Sequence, residues 1–253
     1  MADYLSFEVS ADVFKRSIAT TQKILEYGCF EVREAKAVPV RTVSLVQMDP
    51  SHVALANLEM DNDIVLDLKE GEKFCLKMEK LSTVLSRLRS EDDTVRVSIT
   101  GEDKVKVSFP RTGRDFTIPK LEEEFESITI PKIELEGGAR ARINTSELKS
   151  TIRDMKDVGC DYFNLNGVNP DELVMDCSTD GEAYTRRFKG KELPQYSPGL
   201  AKSRYNIEYL NSIATKDFGQ VILNWKTDMP MSITYPLGMK SKLEFLLAPR
   251  VEG

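Results

Sequence analysis

Apolar and polar residues alternate with a period of two along most of the chain, the pattern of strands that bury one face. The alternation is clear at 4–9, 28–32, 40–48, 52–60, 95–99 and 103–109. It returns at 140–144, 161–165, 172–177, 182–188, 220–225 and 231–235, and 242–247 closes the chain. Four stretches switch to a helical period, about 11–27, 79–89, 145–158 and 206–216, with Ser10, Thr145 and Asn206 placed as N-caps. Each half therefore runs strand, helix, several strands, helix, several strands. That order predicts an α+β fold with antiparallel sheets and helices on one face.

The halves also resemble each other in detail. QKILEYGCFEV (22–32) and MKDVGCDYFNL (155–165) each end a helix, step through Gly-Cys and enter a strand, with Gly28 and Gly159 offset by 159 − 28 = 131 residues. KFCLKMEKLSTVLSRLRSEDDTVRVSI (73–99) has a counterpart in SRYNIEYLNSIATKDFGQVILNW (203–225) at an offset of about 130, where Tyr205 matches Phe74 or Cys75. Two segments agreeing on one offset predict a tandem duplication. Between the halves, RDFTIPKLEEEFESITIPKIELEGG (114–138) holds two prolines and an acidic run. Leu121, Phe125, Ile128 and Ile130 follow no helical or strand period there, so the expectation is a connecting loop laid over a sheet face.

Each helix has two faces. In the first, Phe14, Ile18, Thr21 and Leu25 form one stripe and Lys15, Arg16 and Lys23 the other. In the second, Leu81, Leu85 and Leu88 oppose Lys80, Thr83 and Arg87. The third sets Leu148, Ile152 and Met155 against Lys149, Arg153 and Lys156. The fourth buries Ile207, Leu210, Ile213 and Ala214 but opens mostly Asn211, Ser212 and Thr215, with Lys216 as its charge. The chain as a whole is acidic, with net charge −6 and a pI of about 5.2. Basic helix faces are thus segregated from acidic stretches at 59–72, 122–126 and 134–136. A segregated basic surface suits phosphates, because each Lys or Arg beside one releases condensed counterions. No aromatic residues interleave with these cations, which favours contact with a duplex backbone over stacking on single strands.

Little else in the chain offers chemistry. The one histidine, His52, lies in a turn with Asp49 and Ser51, too close in sequence to form a triad from separate elements. No phosphate-binding loop or metal-ligand spacing occurs, and no cofactor is expected. Acidic pairs such as Asp92-Asp93 leave a carboxylate-dependent hydrolase as an outside reading. Cys29, Cys75, Cys160 and Cys177 show no CxxC spacing and are expected as structural thiols of an intracellular protein. The N-terminal MADYLSFEVS has no secretory pattern, and no apolar run approaches the roughly 18–20 residues of a membrane span.

MDPSHVALANLEM (48–60), the helix near 79–89, Met229-Pro230 before the strand at 231–235 and the ending LEFLLAPRVEG (243–253) together resemble the sliding-clamp family. That family is the proliferating cell nuclear antigen of eukaryotes and its archaeal counterparts, and Arg250 in LAPR is of the archaeal kind. The resemblance implies two tandem domains of the DNA-clamp fold, residues 1–116 and 132–253, joined by a loop at 117–131. It implies a trimeric ring around duplex DNA, with sheets outside and four helices lining the hole. Lys15, Arg16, Lys23, Lys80, Arg87, Lys149, Arg153, Lys156 and, to a lesser degree, Lys216 would then face the phosphates without reading sequence.

Family partners dock a short motif that ends in hydrophobic and aromatic residues. Carried over by position, its pocket takes Met48, His52, Val53, Leu55, Ile128, Ile130, Pro230, Leu246, Ala248 and Pro249. DNA polymerase, flap endonuclease, ligase and clamp loader are the implied partners. The implied place is inside the cell with the DNA, in cytoplasm or nucleoid if archaeal and in the nucleus if eukaryotic. Subunits of the family join through edge strands, here about 111–118 and 173–180, with Arg111, Arg114, Asp115 and Asp176 as candidates to set the pairing. Segment 34–47, with Pro39 and apolar residues, departs from the usual family loop. The implied function is a non-enzymatic processivity factor. An alternative is a clamp subunit that assembles only with paralogues.

Overall fold

The computed structural model describes residues 5–34, 41–61, 64–66, 73–99, 103–122, 128, 130, 133–238 and 241–251. Its backbone separates into two compact units. Unit 1 comprises Met1–Pro50, Ala56–Thr129 and Leu237–Leu243; unit 2 comprises Ser51–Leu55, Ile130–Pro236 and Glu244–Gly253.

In unit 1 the elements are β1 (Leu5–Ser10), α1 (Ala11–Thr21), β2 (Tyr27–Glu34), β3 (Arg41–Met48), β4 (Ala54–Asp61), β5 (Ile64–Leu66), β6 (Lys73–Lys77), α2 (Met78–Leu85), β7 (Thr94–Ile99), β8 (Lys104–Phe109) and β9 (Arg114–Pro119). The strands order themselves β5-β1-β7-β8-β9 in one group and β4-β3-β2-β6 in the other. Unit 2 holds β10 (Ala139–Asn144), α3 (Thr145–Asp157), β11 (Tyr162–Asn166), β12 (Glu172–Ser178) and β13 (Ala183–Lys189). It continues with β14 (Gln195–Ser197), β15 (Lys202–Asn206), α4 (Ile207–Ile213), β16 (Gln220–Trp225), β17 (Met231–Pro236) and β18 (Lys242–Leu247). Here the orders are β14-β10-β16-β17-β18 and β13-β12-β11-β15. Element for element, the two units have the same strand order. The duplication expected from sequence is a duplication of topology.

The offset between copies is not constant. β1 and β10 begin 139 − 5 = 134 residues apart, whereas β6 and β15 begin 202 − 73 = 129 apart. The Gly-Cys match at 131 therefore pairs residues with different roles. Gly159 has φ +81 and ends α3, with Cys160 N–H donating to the Met155 carbonyl, a left-handed helix stop. Gly28 lies inside β2, where an added Cβ would run into Met78 Sδ and Leu45 Cδ1. The first glycine is needed for its backbone angle and the second for its missing side chain.

Side-chain alternation places the cores. Phe7, Phe14, Phe30 and Phe74 are buried together in unit 1, with Phe30 and Phe74 stacked at 5.1 Å between centroids. In unit 2 the large buried groups have polar tips, and each tip finds a carbonyl. Trp225 Nε1 donates to Ala201, Tyr205 hydroxyl to Met229 and Tyr235 hydroxyl to Ile213.

Three expectations need correction. The helices stop short of their apolar stripes, so Lys23, Arg87 and Lys216 lie in the turns that follow α1, α2 and α4. In α1, Thr20 and Thr21 hydroxyls bond back to the carbonyls of Arg16 and Ser17. The next amides then make tighter i→i+3 bonds, Lys23 N–H to Thr20 and Ile24 N–H to Thr21. Of the three N-caps, Asn206 accepts from Tyr209 N–H at 3.0 Å, while Ser10 caps without a side-chain bond. Thr145 is the first residue of α3, not its cap, and its hydroxyl donates to the Lys216 carbonyl.

The cysteines are paired, not free: Cys29 bonds Cys75 and Cys160 bonds Cys177. Register explains the first pair, since β2 and β6 set Cys29 directly opposite Cys75. Sequence spacings of 46 and 17 residues carry no local motif, so alternation alone did not expose either bond. Finally, the segment read as an aperiodic linker begins with a strand, β9, paired along its length with β8, and Leu121 bridges back to Cys75. Residues 35–40 and 123–127, Thr129 and 131–132 lie outside the described residues, as do the acidic residues at 62–63 and 67–72.

The Asn206 cap gives a local test. Asn206→Ala removes the one side-chain cap among the four α-helices and is expected to cost about 1 kcal/mol, lowering the thermal midpoint by roughly 3 °C. Ser10→Ala, which removes no cap bond, is expected to leave the midpoint unchanged in the same calorimetric scan.

Candidate nucleic-acid and partner surfaces

Each unit sets its two helices side by side, α1 with α2 and α3 with α4. The buried stripes are Phe14 and Ile18 of α1, Met78, Leu81 and Leu85 of α2, Leu148, Ile152 and Met155 of α3, and Ile207, Leu210 and Ile213 of α4. The opposite stripes carry the cations named from sequence, but not all are equally available. In unit 1, Arg16 is clasped by Asp12 one turn earlier. The Arg87 guanidinium lies 5.6 Å from the Phe116 ring centroid, and its carbonyl accepts from Arg114 Nη1. Lys23 and Lys80 are exposed, Lys15 is half-exposed, and none of the three forms an ion pair with a described residue.

Unit 2 departs further from the simple expectation. Lys149 does not extend freely into solvent: its Nζ donates to both the Asn211 carbonyl and Asn211 Oδ1 at 2.8 Å. A cation is favourable at that place because carbonyls near the end of α4 lack helical partners. Lys156 pairs with Glu208 of α4 at 2.7 Å. Arg153 and Lys216 are exposed. Position on a helix face was legible; neutralisation by residues 52 and 62 positions further along was not.

Polar groups on α3 also reach a strand. Arg186 of β13 bonds Glu147 at 3.0 Å and Glu192 at 2.5 Å, and Tyr184 hydroxyl donates to Asp154 Oδ2 at 2.8 Å. Burial, and then the Asp154 carboxylate, push the Tyr184 hydroxyl above its ordinary pKa. No feature of the sequence singled these residues out.

The partner candidates divide by burial. Leu55 and Leu246, 2% and 8% exposed, belong to the core, which corrects their placement in an accessible pocket. His52 is exposed with φ +58, and Val53, Pro230, Ala248 and Pro249 are half-buried. Ala248 N–H donates to the Val53 carbonyl at 2.9 Å, so unit 2 does bring the MDPSH turn to the LAPR segment. Met48 and Ile128 belong to unit 1 and Ile130 to unit 2, all three half-buried.

For the edge strands, β9 ends its row, as expected for 111–118, but 173–180 does not. That segment is β12, paired on both sides by β11 and β13 over its length, and the free edge passes to β13. The four pairing candidates are already engaged within the subunit. Arg111 pairs with Asp93, Arg114 with Asp92, Asp115 with Lys106, and Asp176 accepts from Asn164. Asp92 is the hub at the start of β9. Burial raises its carboxyl pKa, but bonds from Arg89 N–H, Thr112 and Arg114 outweigh burial and hold it below the ordinary value.

The folded backbone, compared with known structures, matches PCNA from Thermococcus kodakaraensis with a TM-score of 0.86 at 22% identity, covering 97% of this chain and 100% of that one. The chain has the sliding-clamp fold. An Archaeoglobus-type match, "C-terminal region of FEN-1 bound to A. fulgidus PCNA", gives a TM-score of 0.83 at 17% identity over 98% of this chain and 99% of that one. By sequence, the chain is 28% identical over 257 residues to the DNA polymerase sliding clamp of Methanococcus maripaludis, covering 95% of this chain and 96% of the relative. No protein-family model matches the chain. The clamp fold accounts for the repeated strand order and for the helix pairs, and the end-to-end coverage leaves no large segment unaccounted for.

The Asp92 hub generates a pH test. Asp92→Asn is expected to lower the thermal midpoint by about 5 °C near pH 7, because it leaves Arg114 beside an uncharged partner in a buried site. A lowered folded-state pKa stabilises above the unfolded value, near 3.8, and is lost as pH falls through the folded value. The midpoints of variant and parent should therefore converge below about pH 3 in circular-dichroism melts.

Proposed function

We propose that this chain is a DNA polymerase processivity factor, a ring-shaped sliding clamp that encircles duplex DNA and tethers replication and repair enzymes. The observation that carries the reading is the twofold repeat of one strand order, each copy presenting a helix pair with a cationic outer stripe. Three such chains would supply six similar modules around a duplex. DNA in such a ring is retained by topology, so contacts with phosphates need only be weak and exchangeable. The ring's work is then to keep a bound polymerase at high effective concentration near the primer end. This role is a scaffold's, with no chemical step.

The cations best suited to phosphates are Lys15, Lys23, Lys80, Arg153 and Lys216, supported by exposure and by the lack of an ion pair with described residues. Arg16, Arg87, Lys149 and Lys156 stay on the same helices or turns but spend part of their charge inside the subunit. Subunits join head to tail, β9 of one against β13 of the next, which removes two open edges and closes a trimer. Exposed Asp115 on β9 and exposed Arg187 and Lys189 on β13 favour that pairing by charge. Polymerase, flap endonuclease, ligase and clamp loader dock by a short hydrophobic motif on the surface around Val53, Pro230, Ala248 and Pro249, with His52 at its rim. A bound FEN-1 C-terminal region on the A. fulgidus protein supports this choice.

Solution mass tests the assembly directly. The purified chain should run as a homotrimer of 3 × 28.6 kDa, about 86 kDa. A monomer that assembles only on mixing with other clamp chains would overturn the homotrimer in favour of a mixed ring.

Charge reversal tests the division of surfaces. Lys23→Glu, Lys80→Glu, Arg153→Glu and Lys216→Glu together should cut polymerase stimulation on primed DNA at least about tenfold and flatten its salt dependence. Affinity for a motif peptide should stay within twofold of the parent. Equal loss of both would sink the assignment.

A further inference from the structure

Two arginines converge on one ring at the edge of the docking surface. On the solvent face of unit 2, the guanidinium of Arg204 and that of Arg250 each lie 5.3 Å from the centroid of Tyr162. Arg204 comes from β15, Tyr162 from β11 and Arg250 from the chain end, so three separate stretches meet there. The β11–β15 register sets Phe163 and Tyr205 inward, which turns Tyr162, Asn164 and Arg204 outward. Lys202, two residues before Arg204, is exposed on the same face.

This arrangement is held in place. Arg250 N–H donates to the Arg204 carbonyl at 2.7 Å, and two residues earlier Ala248 N–H donates to the Val53 carbonyl. The segment 248–250 is therefore pinned at both ends, with its apolar residues toward Val53 and its cation toward Tyr162. Two guanidiniums gathered at one ring repel each other, and the aromatic face offsets only part of that repulsion. Arg250 is exposed and forms no ion pair with a described residue. The Asp176 carboxylate on this face is two strands away from Arg204 and accepts from Asn164.

We propose that Arg204 and Arg250, braced on Tyr162, form an anion seat that binds a carboxylate side chain of the partner peptide next to its hydrophobic motif. A carboxylate suits the seat because planar guanidiniums donate paired N–H groups to its two oxygens, and the bond is charge-assisted. The seat would make the clamp select partners whose motif carries Asp or Glu on one flank. It would add orientation too, since a second fixed point sets the direction in which the peptide crosses the surface. The proposal rests on the docking reading given above, and its test separates the two.

The probe is a synthetic peptide ending its motif in two aromatic residues. It is made in three forms: Ser-Ser on both flanks, Asp-Asp before the motif, and Asp-Asp after it. Binding to the full-length chain is measured by fluorescence anisotropy at about 50 and 300 mM salt. One acidic form should bind about fivefold more tightly than the neutral form at low salt, with the gain shrinking at high salt. In the Arg204→Gln/Arg250→Gln variant that gain should disappear while the neutral peptide binds as before. Arg250→Lys should keep part of it, since charge survives but the paired donors do not.

Binding of the neutral peptide with no gain from either acidic flank overturns the seat and leaves the docking reading standing. A gain that persists in the double variant also overturns it. No binding of any form removes the docking reading and the seat with it. If the double variant instead loses affinity for a short DNA duplex and shows no peptide effect, the arginines serve phosphates and the proposal falls. A melting curve on each variant checks that Tyr162 and the chain end remain folded.

Discussion

Everything functional in this molecule depends on helices that bury one face only. A helix in either unit lies over strands whose inward residues are aromatic or branched, and its own stripe of Phe, Leu, Ile and Met closes that core. Burial of such side chains is the main favourable contribution to folding, at about 25 cal/mol per Å² of apolar area. It fixes helix rotation, because turning α3 by a third would expose Leu148 and Ile152 and bury Arg153. The outer stripe is consequently free of any packing duty. Its residues can be chosen for what they meet.

That freedom is used sparingly. Of the cations on or just after the helices, several are held by neighbours: Arg16 by Asp12, Lys156 by Glu208 and Lys149 by the end of α4. Exposed pairs like the first two contribute little to stability, and their physical effect is to dilute the local positive charge. Diluted charge suits a sleeve around DNA better than dense charge, since tight phosphate binding would hinder sliding. Lys149 is a different case. It serves the α3–α4 packing, so its loss would disturb both helices and confuse any reading of DNA affinity.

The fold was legible because it rests on periodicity. Thirteen of the strands announce themselves by alternation, and the four helices by their stripes, since both patterns are direct consequences of a one-sided core. β5 and β14, at three residues each, are too short to show a period. β9 was obscured by Pro119 and by Arg114 and Asp115, whose charges serve the edge of a sheet. Helix ends were overestimated where Thr and Ser hydroxyls compete for backbone carbonyls, a choice made by local geometry after the stripe has been set. The disulfides were hidden for a related reason: Cys29 and Cys75 look like small apolar strand residues until register puts them opposite one another.

The site was legible in kind and less so in detail. Cationic stripes and the unrepeated MDPSH and LAPR segments mark two surfaces, but sequence cannot say which lysine is already satisfied or which leucine is interior. Leu55 illustrates this, since it has the same alternation whether it lines a pocket or a core. Repetition itself sorts the two surfaces. The helices recur because a duplex looks the same from each module, and a surface for it must recur as well. The docking segments occur once because a partner peptide needs a single seat with one direction. Tyr162 and Arg204 belong to repeated strands, β11 and β15, yet acquire their role from Arg250, which lies at the unrepeated chain end. Specificity on a duplicated scaffold arises where a repeated surface meets a segment that was not copied.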